Sequence, residues 1–242
     1  VNWDHQKDRR LITGTGGSGK TTLFLSRIAN SPERWKFLFD PEREIARKLR
    51  WPTCYDVPAM VKCTAAGAPV CFCPDPLFDD LHEGFEFFSA WVWEVCCVLT
   101  GPKLFGSDEV QDFTDGNAAG IPPAFRRIMQ KGRRQEINVI LITQTLGEAH
   151  SKIRNQLSHI YSFRHDDDLA LTWLHKNGFD REAVGRLTYP GGWICRNRDT
   201  GEITTNEKAK AKPAGKTSGQ AFVDGEKTVV HRGRAANQPA SR

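Results

Sequence analysis

The stretch Arg9-Arg-Leu-Ile-Thr-Gly14-Thr-Gly-Gly-Ser-Gly-Lys-Thr21 decides the fold. From Gly14 it fits G-x-x-x-x-G-K-[ST] without exception, and the five residues before it read as the apolar strand such a loop needs. Leu23, Phe24, Leu25 and Ile28 follow at helical spacing and predict a helix over about 19–30. The glycines let the loop turn its backbone N–H groups inward around phosphate oxygens, and the helix adds the positive end of its dipole. Gly14, Thr15, Gly16, Gly17, Ser18, Gly19, Lys20, Thr21 and Thr22 are therefore the expected nucleotide-binding residues. Lys20 is expected to reach the β- and γ-phosphates and the Thr21 hydroxyl to ligate Mg²⁺. ATP and Mg²⁺ are the cofactors this predicts.

Outward from the loop, apolar strands alternate with helices. Strands are predicted at 9–13, 36–39, 69–73, 103–107, 138–143 and 159–163, and helices at 41–49, 79–99, 121–131, 148–156, 167–177 and 180–187. Gly106 weakens the propensity of the fourth strand. Trp193 to Arg196 and Glu202 to Thr205, separated by Asp199-Thr200-Gly201, read as a C-terminal hairpin. Buried strands alternating with helices predict an α/β, three-layer P-loop NTPase with a mainly parallel sheet. This domain is expected over 1–206. From 207 to 242 the periodicity stops, bulky apolar residues are confined to two short islands, and a basic, disordered tail is expected.

Two further segments carry chemistry. Leu104-Phe-Gly-Ser-Asp-Glu109 is an apolar strand ending in adjacent carboxylates. Asp108 is expected to hold Mg²⁺ through water, and Glu109, one residue on, to take a proton from the attacking water. Gly132-Arg-Arg-Gln-Glu-Ile-Asn-Val-Ile-Leu-Ile-Thr-Gln-Thr145 is a basic helix end, a buried strand and a glutamine at the strand's C-terminal tip. Strand tips of that kind line the ligand crevice of parallel sheets, which places Gln144 to sense the γ-phosphate or orient the lytic water.

These three pieces, in this order over roughly 9–165, resemble the FtsK–HerA superfamily of ring-forming, DNA-translocating P-loop ATPases. The resemblance implies the additional-strand, catalytic-glutamate division of that fold. It is similar in particular to the genome-packaging ATPases of membrane-containing double-jelly-roll viruses. Asp108-Glu-Val-Gln111 is equally compatible with the zonula-occludens-toxin-like assembly and export ATPases of filamentous phages. Those normally carry a membrane span where this chain has a Lys/Ala/Gly tail, which favours packaging. A nucleotide-dependent assembly protein that moves no DNA is the alternative of another class. The packaging resemblance implies a homo-oligomeric ring, double-stranded DNA held without sequence preference, and viral capsid or portal-vertex proteins as partners. It also implies residence in the host cytoplasm and at a packaging vertex of the virion.

Charge building on the γ-phosphate favours an arginine supplied from outside the site. Arg126, Arg127, Arg133, Arg134 and Arg164 are candidates, and the resemblance selects Arg133 and Arg134, which follow a glycine where the family carries basic residues. One of them is expected to project into the neighbouring subunit's nucleotide. Lys152, Arg154 and the basic tail are candidate phosphate grips for DNA, and the loop 112–120 is placed to couple hydrolysis to movement.

Other features exclude alternatives. The formal charge of +5 resides in 207–242, leaving 1–206 neutral, so bulk attraction to nucleic acid belongs to the tail. The most apolar run, Phe85 to Thr100, carries Glu86 and Glu94, so no membrane span is expected, and the first residues show no secretory pattern. Seven cysteines without zinc spacing are expected to be reduced thiols, with Cys71, Cys73, Cys96 and Cys97 acting as small core residues. Phe85, Phe87, Phe88, Trp91 and Trp93 are expected to pack in the core or an interface. Asp166, Asp167 and Asp168 read as a helix start rather than a metal cluster. His150, His159 and His165 have no partner at ligand spacing.

Overall fold

The computed structural model describes residues 8–75, 77–114, 120–147 and 149–206, together with the backbone of 230 and 231. β1 (Arg9–Thr13) leads through the glycine loop into α1 (Lys20–Ala29). There follow β2 (Trp35–Phe39), α2 (Glu44–Leu49), β3 (Thr53–Cys54), α3 (Val57–Ala65), β4 (Val70–Phe72), α4 (Leu81–Val98) and β5 (Lys103–Ser107). The second half holds α5 (Pro123–Lys131), β6 (Ile137–Thr143), α6 (Ser151–Arg154), β7 (His159–Ser162), α7 (Asp168–Lys176) and α8 (Arg181–Gly185). β8 (Trp193–Asn197), β9 (Ile203–Asn206) and β10 (Val230–His231) complete it. One ten-stranded sheet has the order β10-β9-β8-β7-β1-β6-β5-β2-β4-β3. The seven strands from β7 to β3 run parallel, and β8, β9 and β10 continue the sheet antiparallel.

The expected three-layer α/β sheet and its C-terminal hairpin are thus present, with β6 inserted between the glycine-loop strand and the acid-tipped β5. Register does the positioning. Thr13 pairs with Thr143, and Ser107 with Leu141, two residues earlier on β6. Asp108 and Glu109 therefore continue β5 to the level where the glycine loop and Gln144 begin.

An aromatic block fills one face. Phe85 of α4 stacks within 5.1 Å, ring centre to ring centre, of Phe39, Phe113 and Phe125, and within 6.0 Å of Phe105. Phe87, Trp91 and Trp93 pack half-buried around this block, as core rather than as a stacking platform. The other face carries α1 and α2 on Leu38, Ile140 and Ile142 through Phe24, Ile28 and Ile45. Gly106 has its reason there. A Cβ on it would lie 2.6 Å from Leu38 Cδ2, so its bareness makes room for the Leu38 side chain beneath α1, whose Phe24 Cζ would be 3.4 Å away.

Several elements differ from expectation. β3 and α3 fall in a stretch where none was read, although Asp56 caps α3 by accepting the Ala59 N–H and Pro58 stands in its first turn. α2 begins at Glu44 rather than Pro41, because the Asp40 carboxylate reaches past the turn to accept the N–H groups of Ile45 and Ala46. α6 is a single turn. Asp167 and Asp180 cap α7 and α8 as expected. All seven cysteines are free thiols, but Cys97 is exposed, since one helical step from buried Cys96 turns it off the core face. Among the described residues no helix is long and apolar enough to cross a membrane. The tail expectation lies outside the described residues, β10 excepted.

Phe85 touches four other rings, so Phe85→Ala should lower unfolding free energy by about 3–5 kcal/mol. Urea denaturation checks this, and Phe85→Leu should cost distinctly less.

Candidate active site

The glycine loop is built by close approach. A Cβ on Gly14 would stand 2.6 Å from Phe163 Cβ and 2.9 Å from Ser18 Oγ, so only a bare backbone fits beside the end of β7. Gly19 has φ +106°, a conformation side chains resist, and it turns the chain straight into α1. No side chain caps that helix, whereas aspartates cap α3, α4, α7 and α8. The first-turn N–H groups of α1 are thus left to a ligand.

Neighbouring elements hold the loop from outside. Thr15 N–H donates to Arg164 O at 3.0 Å, Gly191 N–H donates to Ser18 O at 2.9 Å, and the Tyr189 hydroxyl donates to Gly16 O at 2.9 Å. Inside, Lys20 Nζ donates to Thr15 O at 2.9 Å. Lys20 is buried, and burial lowers its pKa against the opposing pull of Glu109 and Asp108. Ser18 Oγ is buried without a hydrogen-bond partner among the described residues. Behind the loop, His165 Nε2 lies 3.1 Å from Thr13 Oγ1. Burial, helped by the charge of Lys20, pushes His165 down to about 4, so its ring is neutral at pH 7.

The two acids stand opposite. Asp108 Oδ1 accepts the Glu109 N–H at 2.9 Å. Its carboxyl is pushed up to about 7, by burial first and then by the neighbouring charge of Glu109. Glu109 itself sits at φ 47°, ψ 51°, left-handed backbone that costs about 1–3 kcal/mol in a residue with a side chain. Both its carboxylate oxygens are engaged. Oε2 accepts from Gln111 Nε2 at 2.6 Å, and Oε1 accepts from Gln144 Nε2. Gln144 also neighbours the glycine loop, since a Cβ on Gly16 would lie 3.6 Å from its Oε1. Gln144 therefore bridges loop and acid. The part played by Gln111 was not read from the sequence, although its place two residues beyond Glu109 in D-E-x-Q was the available signal.

The donor set suits a phosphate-bound dication rather than a protein-caged metal. Among the described residues no three His, Cys, Asp or Glu side chains converge on a metal position. Thr21 and Asp108 would hold a Mg²⁺ that is shared with phosphate oxygens. The partnerless Ser18 hydroxyl, the uncapped α1 and the raised Asp108 carboxyl all fit a polyanion and its cation.

The arginines lie elsewhere. Arg133 and Arg134 occupy the 3₁₀ turn Gly132–Gln135 just before β6, both exposed. Seven residues of β6 separate that turn from Gln144, about 20 Å at 3.3 Å per residue. The charge of Arg133 is felt instead by Arg9, at the start of β1. Arg164 flanks the glycine loop but pairs with Asp166 at 3.0 Å. Arg127 faces Glu94 at 3.9 Å, and Arg126 has a buried Nε with no partner among the described residues. Arg154 lies over the Trp173 ring, 5.6 Å from its centre. His150 caps α6 through the Lys152 N–H. Most of the 112–120 loop lies outside the described residues.

The genome-packaging NTPase B204 of Sulfolobus turreted icosahedral virus 2, solved with ATP-gammaS, superposes with a TM-score of 0.64, covering 86% of this chain and 100% of that one at 16% identity. The two share a fold. B204 of Sulfolobus turreted icosahedral virus, a DNA-packaging ATPase, gives a TM-score of 0.61 over 85% of this chain and 99% of that one at 17% identity. The N-terminal domain of zonular occludens toxin from Neisseria meningitidis gives 0.42 over 86% and 87% at 15% identity. No protein-family model and no curated protein matches the chain. The fold implied by the FtsK–HerA resemblance is accordingly the fold observed.

A carboxyl whose pKa is higher in the folded chain than in the unfolded one favours folding when protonated and opposes it when ionised. Without ligand, Asp108→Asn should therefore raise the melting temperature at pH 8, by about 2–6 °C for a domain of this size. The gain should shrink as pH falls through 7 and vanish near 4, as thermal scans across that range would show.

Proposed function

We propose that this chain is an ATP-hydrolysing motor that acts as a homo-oligomeric ring and moves double-stranded DNA, in the setting of viral genome packaging. One observation carries the reading. Gln144 joins the carboxylate of Glu109 to the mouth of the glycine loop, with β6 between the loop strand and the acid-tipped strand. The shared fold with B204, a viral genome-packaging NTPase, supports it.

In this reading residues Gly14 to Thr22 form the phosphate site, its inward-facing N–H groups bind the phosphates, and Lys20 leaves Thr15 O to meet the β- and γ-phosphates. A Mg²⁺ held by Thr21 and Asp108 would supply charge neutralisation of the phosphate oxygens. A cation beside Asp108 also favours its ionised form, which burial alone opposes. Glu109 is the general base. Its carboxylate accepts one amide hydrogen on each oxygen and keeps lone pairs with which to take a proton from water. Gln144, bonded to that carboxylate, stands beside it to orient the water or contact the γ-phosphate.

Arg133 and Arg134 stand about a strand's length from their own chain's site, and in this reading one of them reaches a neighbour's nucleotide instead. That arrangement makes hydrolysis a property of the ring, with Lys152, Arg154 and the basic tail as the phosphate grips for DNA.

Lys20→Ala should abolish nucleotide binding. Glu109→Gln should keep it and lower kcat by about 10²–10⁴, the usual yield of a positioned base. Duplex DNA should raise turnover severalfold and bind with strong salt dependence. Arg133→Ala or Arg134→Ala should remove most of that stimulated turnover, measured by phosphate release. ATPase indifferent to DNA but stimulated by a coat or membrane protein would instead establish an assembly ATPase.

A further inference from the structure

A short strap lies against the outside of the glycine loop, from a region 173 residues away in sequence that no motif covers. Thr188 to Gly192 links α8 to β8 and closes on itself, Gly192 N–H donating to Thr188 O at 2.9 Å. Both ends are anchored. Leu187 is buried, and Trp193 meets Tyr161 edge-on with ring centres 5.3 Å apart. Between the anchors, Tyr189 remains 53% exposed, so core packing does not explain its ring.

The strap touches the loop through two carbonyls. Tyr189 Oη donates to Gly16 O, and Gly191 N–H donates to Ser18 O, both at 2.9 Å. A trans peptide is planar, and its C=O and N–H point in opposite directions. Holding Gly16 O toward the strap therefore aims the Gly17 N–H away from it. Holding Ser18 O does the same for the Gly19 N–H. The Gly16–Gly17 unit is the one that needs this restraint, because with glycine on both sides its plane rotates at little cost. Gly17 is at φ +70°, and a Cβ on it would lie 2.4 Å from Tyr189 Oη, so loop and phenol are fitted to each other.

We propose that the Thr188–Gly192 strap is a positioning device for the phosphate loop, and that Tyr189 sets the Gly16–Gly17 peptide for the terminal phosphate of a nucleoside triphosphate. The assignment to that end of the ligand follows from Gln144, which lies beside Gly16 and holds the proposed general base. It rests on the nucleotide-binding reading given above. Tyr189 acts through the backbone of the loop and is a positioning residue.

The test compares the full-length wild-type chain with Tyr189→Phe, which keeps the ring and removes the donor. A fluorescent non-hydrolysable ATP analogue and AMP are titrated in parallel. The analogue should bind about 3- to 10-fold more weakly, the yield of one hydrogen bond, with a matching rise in KM for ATP. AMP affinity, kcat and the melting temperature without nucleotide should stay close to wild type. Gly17→Ala supplies the second arm. Its loss should be smaller in the Tyr189→Phe background than in wild type, because the added methyl then meets no phenol oxygen. Equal analogue binding by wild type and Tyr189→Phe overturns the proposal, as does equal weakening of AMP and analogue, or a Gly17→Ala loss that is the same in both backgrounds. Failure of the wild-type chain to bind either nucleotide would remove the nucleotide reading itself, and the strap's role with it.

Discussion

The parallel ladders joining β1 to β6 and β6 to β5 constrain everything around the site. Their registers carry three strand tips to one level, so that a glycine turn, an amide and two carboxylates meet although they lie far apart in sequence. Such ladders hold only if both faces of the sheet are dry. The phenylalanine block under α4 and α5 seals one face, and the apolar stripe of α1 seals the other. Packing and chemistry are therefore not separable here. Gly106 shows the link, since the bareness that weakens its strand makes room for Leu38 in the layer on which α1 packs.

The electrostatics follow from the same burial. Lys20 is held below its ordinary pKa and Asp108 well above its own, each with desolvation as the largest cause. Burial thus disfavours charge of either sign here, although the two groups partly compensate each other. A ligand bearing both phosphate oxygens and a dication would relieve both groups at once. Glu109 differs. Its left-handed backbone and its two amide partners hold the carboxylate in one defined place.

What could be read in advance divides along physical lines. The glycine loop, the acid pair and Gln144 were legible because each is a local pattern with a local cause: a turn only glycine makes, or a strand ending in charge. The opposite placement of Arg133 and Arg134 was implicit as well, since they precede the strand whose far end is Gln144. β3 is illegible because two residues are too few to show a period, and α3 is announced in the sequence only by Asp56 before Pro58. Tyr189 escaped for another reason. Its partner is a backbone carbonyl at Gly16, and no side-chain pattern encodes a contact to a main-chain atom so distant along the chain. Cys97 was misplaced because composition, not helical phase, assigned it to the core.

The sheet is wide, yet among the described residues it begins and ends in strands of two residues, Thr53–Cys54 on one side and Val230–His231 on the other. Among the described residues, these two-residue edges offer another molecule little unpaired ladder. A second copy of the chain meeting either edge would rest on side chains and loops more than on main-chain pairing. Such seams, unlike a continued β-ladder, can open and shut by small rotations without breaking a row of main-chain bonds.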